Sequence, residues 1–247
     1  MTDSTNASPT LTSPHCEGRV VARTALSDAE RDGMFALLTR YFAGHTREHF
    51  ERDLAEKESV ILLEADGLIV GFSTLMLMRT AVDGRPVIAV FSGDTIVARE
   101  NWGESELMRL WVRHVLNVTA GAGVPVYWFL ISSGYKTYRF LPTFFQEFYP
   151  TYLRETPAWT VRVMESLART KFGDEYDTAA GIVRFREATP LQDGVANVTD
   201  RRLKDPHVSF FTRANPGHAA GDELVCLTAL SVENLTAAGR RMLGLPR

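Results

Sequence analysis

The sequence predicts a mixed α/β fold of the α+β kind: a mostly antiparallel sheet flanked by helices, with one parallel strand pair. Three observations carry this. Asp66-Gly67 and Asp83-Gly84 each lie between apolar runs, the signature of a two-residue hairpin turn, so three strands follow one another as a meander. The third of these runs, Arg85 to Ala98, is followed by a polar turn, a helical pattern, a glycine-rich stop and another apolar run. Such a strand–helix–strand crossover makes its two strands parallel and right-handed.

Composition bounds what the fold can serve. The 247 residues are 45% hydrophobic and 23% charged, ordinary for a globular protein that buries a full core. A net charge of −3 argues against a nucleic-acid partner, which calls for a basic surplus. The two cysteines, Cys16 and Cys226, make neither a disulfide framework nor a metal cluster, and reduced thiols of a cytoplasmic protein are the expectation. No apolar run reaches the length of a membrane span. Residues 1–18, rich in Thr, Ser, Pro and Asn, are expected to form a disordered tail rather than a signal peptide.

The elements follow in order. Arg19 to Leu26 reads as a strand. Ser27 and Glu30 form a capping box for a helix carrying Met34, Leu37, Leu38 and Tyr41 on one face. Thr46 caps a second helix, Arg47 to Lys57, with Phe50 and Leu54 buried. Strands Ser59 to Ala65 and Leu68 to Thr80 precede the long central run, which Ser92-Gly93 interrupts; glycine within a strand marks a bulge or a close backbone approach. Leu107, Leu110, Trp111, His114 and Val118 recur at helical spacing. Gly121, Gly123 and Pro125 end that helix, and Val124 to Ile131 is a buried strand. Tyr135 to Tyr149 is partly helical and dense in aromatics. Beyond it, Thr156-Pro157 opens a helix to Gly173, Ala180 to Arg186 reads as a short strand, His207 to Arg213 and Glu223 to Leu230 read as strands, and Ser231 caps a last helix through Leu243.

Strand, two helices, three-strand meander, helix, strand, helix resembles the GNAT superfamily of N-acyltransferases, over roughly Arg19 to Tyr149. The resemblance implies a GNAT-like core at 19–152 and a C-terminal extension at 153–247 that completes the sheet and the acceptor site. It implies a bulge that splays the fourth strand from the fifth, so that the pantetheine arm of a thioester lies in the opened seam. Acetyl-CoA or acyl-CoA is then the co-substrate, with no permanently bound cofactor. The loop that binds the pyrophosphate in that family has an Arg or Gln, two residues, a Gly, one residue and a Gly or Ala; here Glu100, Gly103 and Ser105 stand in those places. Arg99 supplies a positive charge beside the acidic Glu100, and Trp102, Glu104 and the helix start complete the expected cofactor site. The backbone N–H of Ile96 or Val97 is implied as the donor to the thioester oxygen.

Amine attack on a thioester needs a proton removed from nitrogen and one returned to sulfur. The resemblance makes Tyr138 and Tyr135 candidate acids, and Asp94, at the break, is the candidate base. Ser132, Ser133 and Lys136 are candidates for holding the acceptor. His45 and His49 have helical ligand spacing but no third partner, so no metal site is expected. The aromatic run is core, or a tunnel for a longer acyl chain, which keeps an acyl carrier protein as a donor beside coenzyme A. The expected function is N-acyl transfer to an amine of a small molecule or peptide, with a homodimer open. Two alternatives stand beside it: a non-catalytic thioester or metabolite binder on the same fold, and a protein-interaction module.

Overall fold

The computed structural model describes residues 16–102 and 106–246. Its elements are β1 (Glu17–Ala22), α1 (Asp28–Tyr41), α2 (Arg47–Ala55), β2 (Ser59–Ala65), β3 (Leu68–Val82), β4 (Arg85–Val97), α3 (Glu106–Val118), β5 (Val126–Ser132), α4 (Tyr135–Tyr138), α5 (Phe140–Phe144), α6 (Ala158–Phe172), β6 (Tyr176–Asp177), β7 (Ile182–Val183), α7 (Asp200–Leu203), α8 (Pro206–Ala214), β8 (Glu223–Ala229) and α9 (Ala237–Met242). The strands form one sheet in the order β1-β2-β3-β4-β5-β8-β7-β6. All neighbouring pairs are antiparallel except β4 with β5. This is the mixed sheet with one parallel pair that the resemblance implies.

Local chemistry accounts for the frame. Asp66 and Gly67, and Asp83 and Gly84, take positive φ at both turn positions, the twist a two-residue hairpin needs. The Ser27–Glu30 capping box is formed in both directions, and Thr46 accepts from the His49 N–H. Three apolar clusters cover the sheet. One lies beneath α3 and α8 around Trp111, Trp128 and Tyr138. A second lies beneath α6 around Phe91, Phe129 and Phe172. The third holds Met34, Leu38 and Phe50 of α1 and α2 against Leu62 and Phe72.

Three expectations need correction. Glu17 and Gly18 already pair with Glu64 and Leu63, so the first strand begins inside the expected tail and ends at Ala22, where a 3-10 turn follows; residues 1–15 lie outside the described residues. His207 to Arg213 is helical, not extended. Asp205 caps it by accepting from the His207 N–H, and Pro206 occupies the first turn, where its missing N–H costs nothing. The last helix is capped by Thr236, which accepts from Gly239, while Ser231 accepts only from Asn234 in the preceding turn.

Candidate active site

The site begins with one extra residue in β4. On the β3 side Leu75 pairs with Ser92 and Ser73 with Thr95, so Thr74 alone faces Gly93 and Asp94. Gly93 is required here by space: a Cβ would come within 2.6 Å of Thr74 Oγ1 and 2.8 Å of Lys57 Cε.

The parallel seam ends at the same point. β4 and β5 pair from Ile88↔Val126 to Ser92↔Leu130 and no further. Past it, β4 stays with β3 as far as Val97↔Gly71, and β5 stays with β8 as far as Ser132↔Leu224. Each strand follows its outer neighbour, and the two part. The Ala98 N–H donates to Val70 O, so strand alternation turns the Ile96 N–H toward β3 and the N–H groups of Thr95 and Val97 toward the opened seam. Of the two backbone donors expected there, only Val97 faces the right way. Ile96 instead packs into the cluster beneath α1 and α2. Thr95 is a seam-facing donor that the sequence alone did not single out.

A cavity of about 460 Å³ occupies the opening. Ser92 to Thr95, Leu130, Ile131 and Ser133 form its throat. Met108 and Thr137 line it on the α3 side of the sheet, and Asp53, Lys171 and Phe172 on the α2 and α6 side, so it passes through the sheet at the seam. Its lining carries six carboxylates (Asp53, Glu56, Asp94, Glu175, Glu187 and Glu223) against Arg52, Lys171 and Arg186.

Asp94 lies at the throat, as its place at the bulge suggests. Burial, with Asp53 adding like charge and Lys57 opposing, pushes its carboxyl up to about 7. Glu223, the first residue of β8, is the feature that reading the sequence missed. It is buried, Ser133 is its hydrogen-bonding neighbour, and burial together with the charges of Asp94 and Asp53 raises it to about 8. Lys57 is wholly buried and donates to the Asp53 carboxylate at 2.7 Å and its carbonyl at 3.0 Å. His45, just before α2, and His49 also line the cavity; burial, then His49, lowers the His45 imidazole to about 4, so it is neutral. Among the described residues no group of three or more His, Cys, Asp or Glu side chains is arranged to hold a metal.

The tyrosines are elsewhere. Tyr138 is completely buried, its ring beside Phe148, Phe210 and Phe211, and its hydroxyl donates to Pro150 O at 2.9 Å; burial raises its pKa. Tyr135 is buried with Arg202 over its ring. Neither lines the cavity, because α4 turns both rings into the core and offers Thr137 to the opening instead. Of the two serines, Ser133 lines the cavity; Ser132 is buried with its hydroxyl 3.8 Å from Cys226 Sγ. Cys226 is itself fully buried, which pushes its thiol up to about 12.

Beyond the mouth, a basic and aromatic group stands near the start of α3. Arg99 donates to Gly194 O at 3.1 Å and lies over Trp102, whose indole donates to Val97 O at 2.8 Å. Lys136 Nζ sits 3.7 Å from the Trp102 ring centre and donates to Val195 O. Burial, and the charges of Arg99 and Arg202, lower its pKa. Glu100 turns away and pairs with Arg40 at 3.2 Å, so it does not oppose an anion at this place. Gly103, Glu104 and Ser105 lie outside the described residues. A strap at 189–196 ties these groups together: Pro190 O accepts from Ala43, Gln192 N–H donates to Tyr41 O, and Leu191 and Ala196 pack on Gly134.

No family model matches the chain, and none of the curated proteins matches it significantly. Solved structures with partial likeness include a probable N-acyltransferase of Enterococcus faecalis V583, at 19% identity over 54% of this chain with a TM-score of 0.41. This chain spans 33% of the length of that protein. A GNAT-family N-acetyltransferase of Escherichia coli (YhbS) in complex with CoA is 18% identical over 55% of this chain and 71% of its own, with a TM-score of 0.36. An acyl-CoA N-acyltransferase of Pseudomonas aeruginosa is 15% identical over 47% of this chain and 79% of its own, again with a TM-score of 0.36.

Proposed function

We propose that the protein is an N-acyltransferase that moves an acyl group from a coenzyme A thioester to an amine. The observation that carries this reading is the parting of β4 from β5 after Ser92↔Leu130, with a cavity of about 460 Å³ in the gap. An opened parallel seam leaves backbone groups without a strand partner, and an extended pantetheine arm can pair with them as an added strand. The seam-facing N–H groups of Thr95 and Val97 are the donors available to a thioester oxygen, and they stabilise the charge that develops there as the nitrogen attacks. Arg99, Lys136 and Trp102, next to the start of α3, supply the positive charge for the phosphates.

Asp94 is the base. With its carboxyl raised to about 7, it is ionised in a useful fraction near neutral pH and still basic enough to take the proton that nitrogen loses as the C–N bond forms. The C–S bond then breaks, and that proton goes to the departing thiolate. Tyr138, bonded to Pro150 O and walled by aromatic rings, is not needed for this step. The acceptor amine enters from the α2 and α6 side.

The second reading is a thioester binder without turnover; the distance of both tyrosines from the cavity favours it, because it removes the expected acid. Thiol release from acetyl-CoA, followed with a panel of amines, tests the two. Release that depends on an amine and is lost in Asp94→Asn supports the transferase. Tight binding of acetyl-CoA in calorimetry with no release under any amine supports the binder.

A further inference from the structure

The cavity carries more negative charge than its own cations answer. Asp53 is met by Lys57, Glu56 by Lys171, and Glu187 by Arg52 at 3.7 Å. Asp94 and Glu223, at the throat, have no Lys or Arg within 4.0 Å among the described residues. Glu223 is about nine-tenths buried and lines the cavity, with Ser133 as its hydrogen-bonding neighbour. The charges of Asp94 and Asp53 disfavour ionisation of Glu223, and that of Asp53 disfavours ionisation of Asp94, so an added cation relieves both carboxyls. A third group points the same way: the His45 ring lines the cavity, and its Nδ1 is buried with no hydrogen-bond partner. In one tautomer that nitrogen accepts from an N–H donor. The opening therefore combines two carboxyls that no Lys or Arg reaches within 4.0 Å among the described residues with a lining histidine whose Nδ1 has no partner, in a volume suited to a small ligand.

We propose that the acceptor is a small amine bearing a second positive charge, its reacting nitrogen at Asp94 and its second ammonium held by Glu223. The proposal rests on the acyl-transfer reading for which nitrogen reacts, but the cation site can be measured without any thioester. An acceptor carrying its own carboxylate is disfavoured, because it would bring a further negative charge among the carboxylates already there. The groups that bear on the pair are Asp53 from α2, Lys57 just after that helix, Lys171 from α6, and Ser133 after β5. Since Asp94 and Glu223 titrate near neutrality when empty, a bound dication expels protons from them.

The test uses the full chain without coenzyme A and three ligands with the same four-carbon chain: putrescine, n-butylamine and γ-aminobutyrate. Calorimetric titration is expected to give putrescine at least about tenfold tighter than n-butylamine, with γ-aminobutyrate weakest. Two buffers of different ionisation heat should report proton release with putrescine near neutral pH. Glu223→Gln is expected to bring putrescine down to the level of n-butylamine. If that variant does not fold, the ranking in the unaltered protein decides. γ-Aminobutyrate binding as tightly as putrescine, or putrescine no tighter than n-butylamine, overturns the proposal. Thiol release from acetyl-CoA separates the two claims. Putrescine that binds in the expected order but is never acylated, with every other amine also inert, upholds the cation site and sinks the transferase. Acylation of n-butylamine or γ-aminobutyrate in preference to putrescine upholds the transferase and sinks the cation site.

Discussion

The two halves of the β4–β5 seam differ in kind. From Ile88 to Ser92 the strands are paired, and the space around them is filled: Trp128 lies 4.7 Å from Trp111 between ring centres and donates to Ser92 Oγ at 2.7 Å, while Phe91 and Phe129 pack on Phe172. From Gly93 onward the strands part, and carboxylates stand among the aromatic rings that line the opening. One inserted residue in β4 separates the halves. The closed half buys stability, and the open half gives up packing and charge neutrality to keep a space in the sheet. Changes in the two halves should therefore have different signatures: stability without activity on one side, activity against stability on the other.

Asp94→Asn should divide the two most sharply. Thiol release with saturating amine is expected to fall by about a hundredfold or more, the scale on which a general base contributes. In the unaltered protein the rate should rise with pH through about 7, as Asp94 ionises, and then level. Stability should move the other way. Asp94 has a folded pKa above its value of 3.8 in an unfolded chain, so the folded state holds the proton more firmly and loses stability as pH rises from about 4 to about 7. Melting temperatures measured on either side of that window should show Asp94→Asn gaining on the unaltered protein at alkaline pH and matching it below pH 4.

Gly93→Val tests the bulge. Its side chain would collide with Thr74 and Lys57, costing about 1–3 kcal/mol in a denaturation midpoint, and acetyl-CoA binding in calorimetry should weaken with it. At the end of the closed half, Ser92→Ala leaves the Trp128 N–H without its partner in a buried place, and a loss of about 1–3 kcal/mol in the denaturation midpoint is expected. Smallest is Glu100→Gln. Its pair with Arg40 is exposed on both sides, so neither the denaturation midpoint nor acetyl-CoA affinity should move measurably.

What the sequence made legible was what local chemistry decides. The two Asp-Gly turns, the Ser27–Glu30 cap and the glycine at the bulge each act within a few residues, and each is where its residue type requires. The helix at His207 was misread because Val-Ser-Phe-Phe-Thr has strand-like composition, yet Asp205-Pro206 before it is a helix start, and that local signal won. Asp94 can be placed at the opening from the sequence because it sits beside the bulge glycine. Glu223 could not be found that way. It reaches the site because β8 pairs beside β5 across about a hundred residues of chain, and an acidic residue opening an apolar strand carries no mark of what it will face. The tyrosines lie away from the cavity for a related reason: which side of a one-turn helix meets the opening is set by α8 packing behind it, not by spacing within the run.

The direct measurement is amide hydrogen exchange along β4, with and without acetyl-CoA. In the free protein the Thr95 and Val97 amides should exchange quickly while the paired strand before Gly93 stays protected, and acetyl-CoA should slow exchange at Thr95 and Val97 alone. Thr95 and Val97 already protected in the free protein, or unchanged at saturating acetyl-CoA, would contradict an open seam that receives the thioester arm.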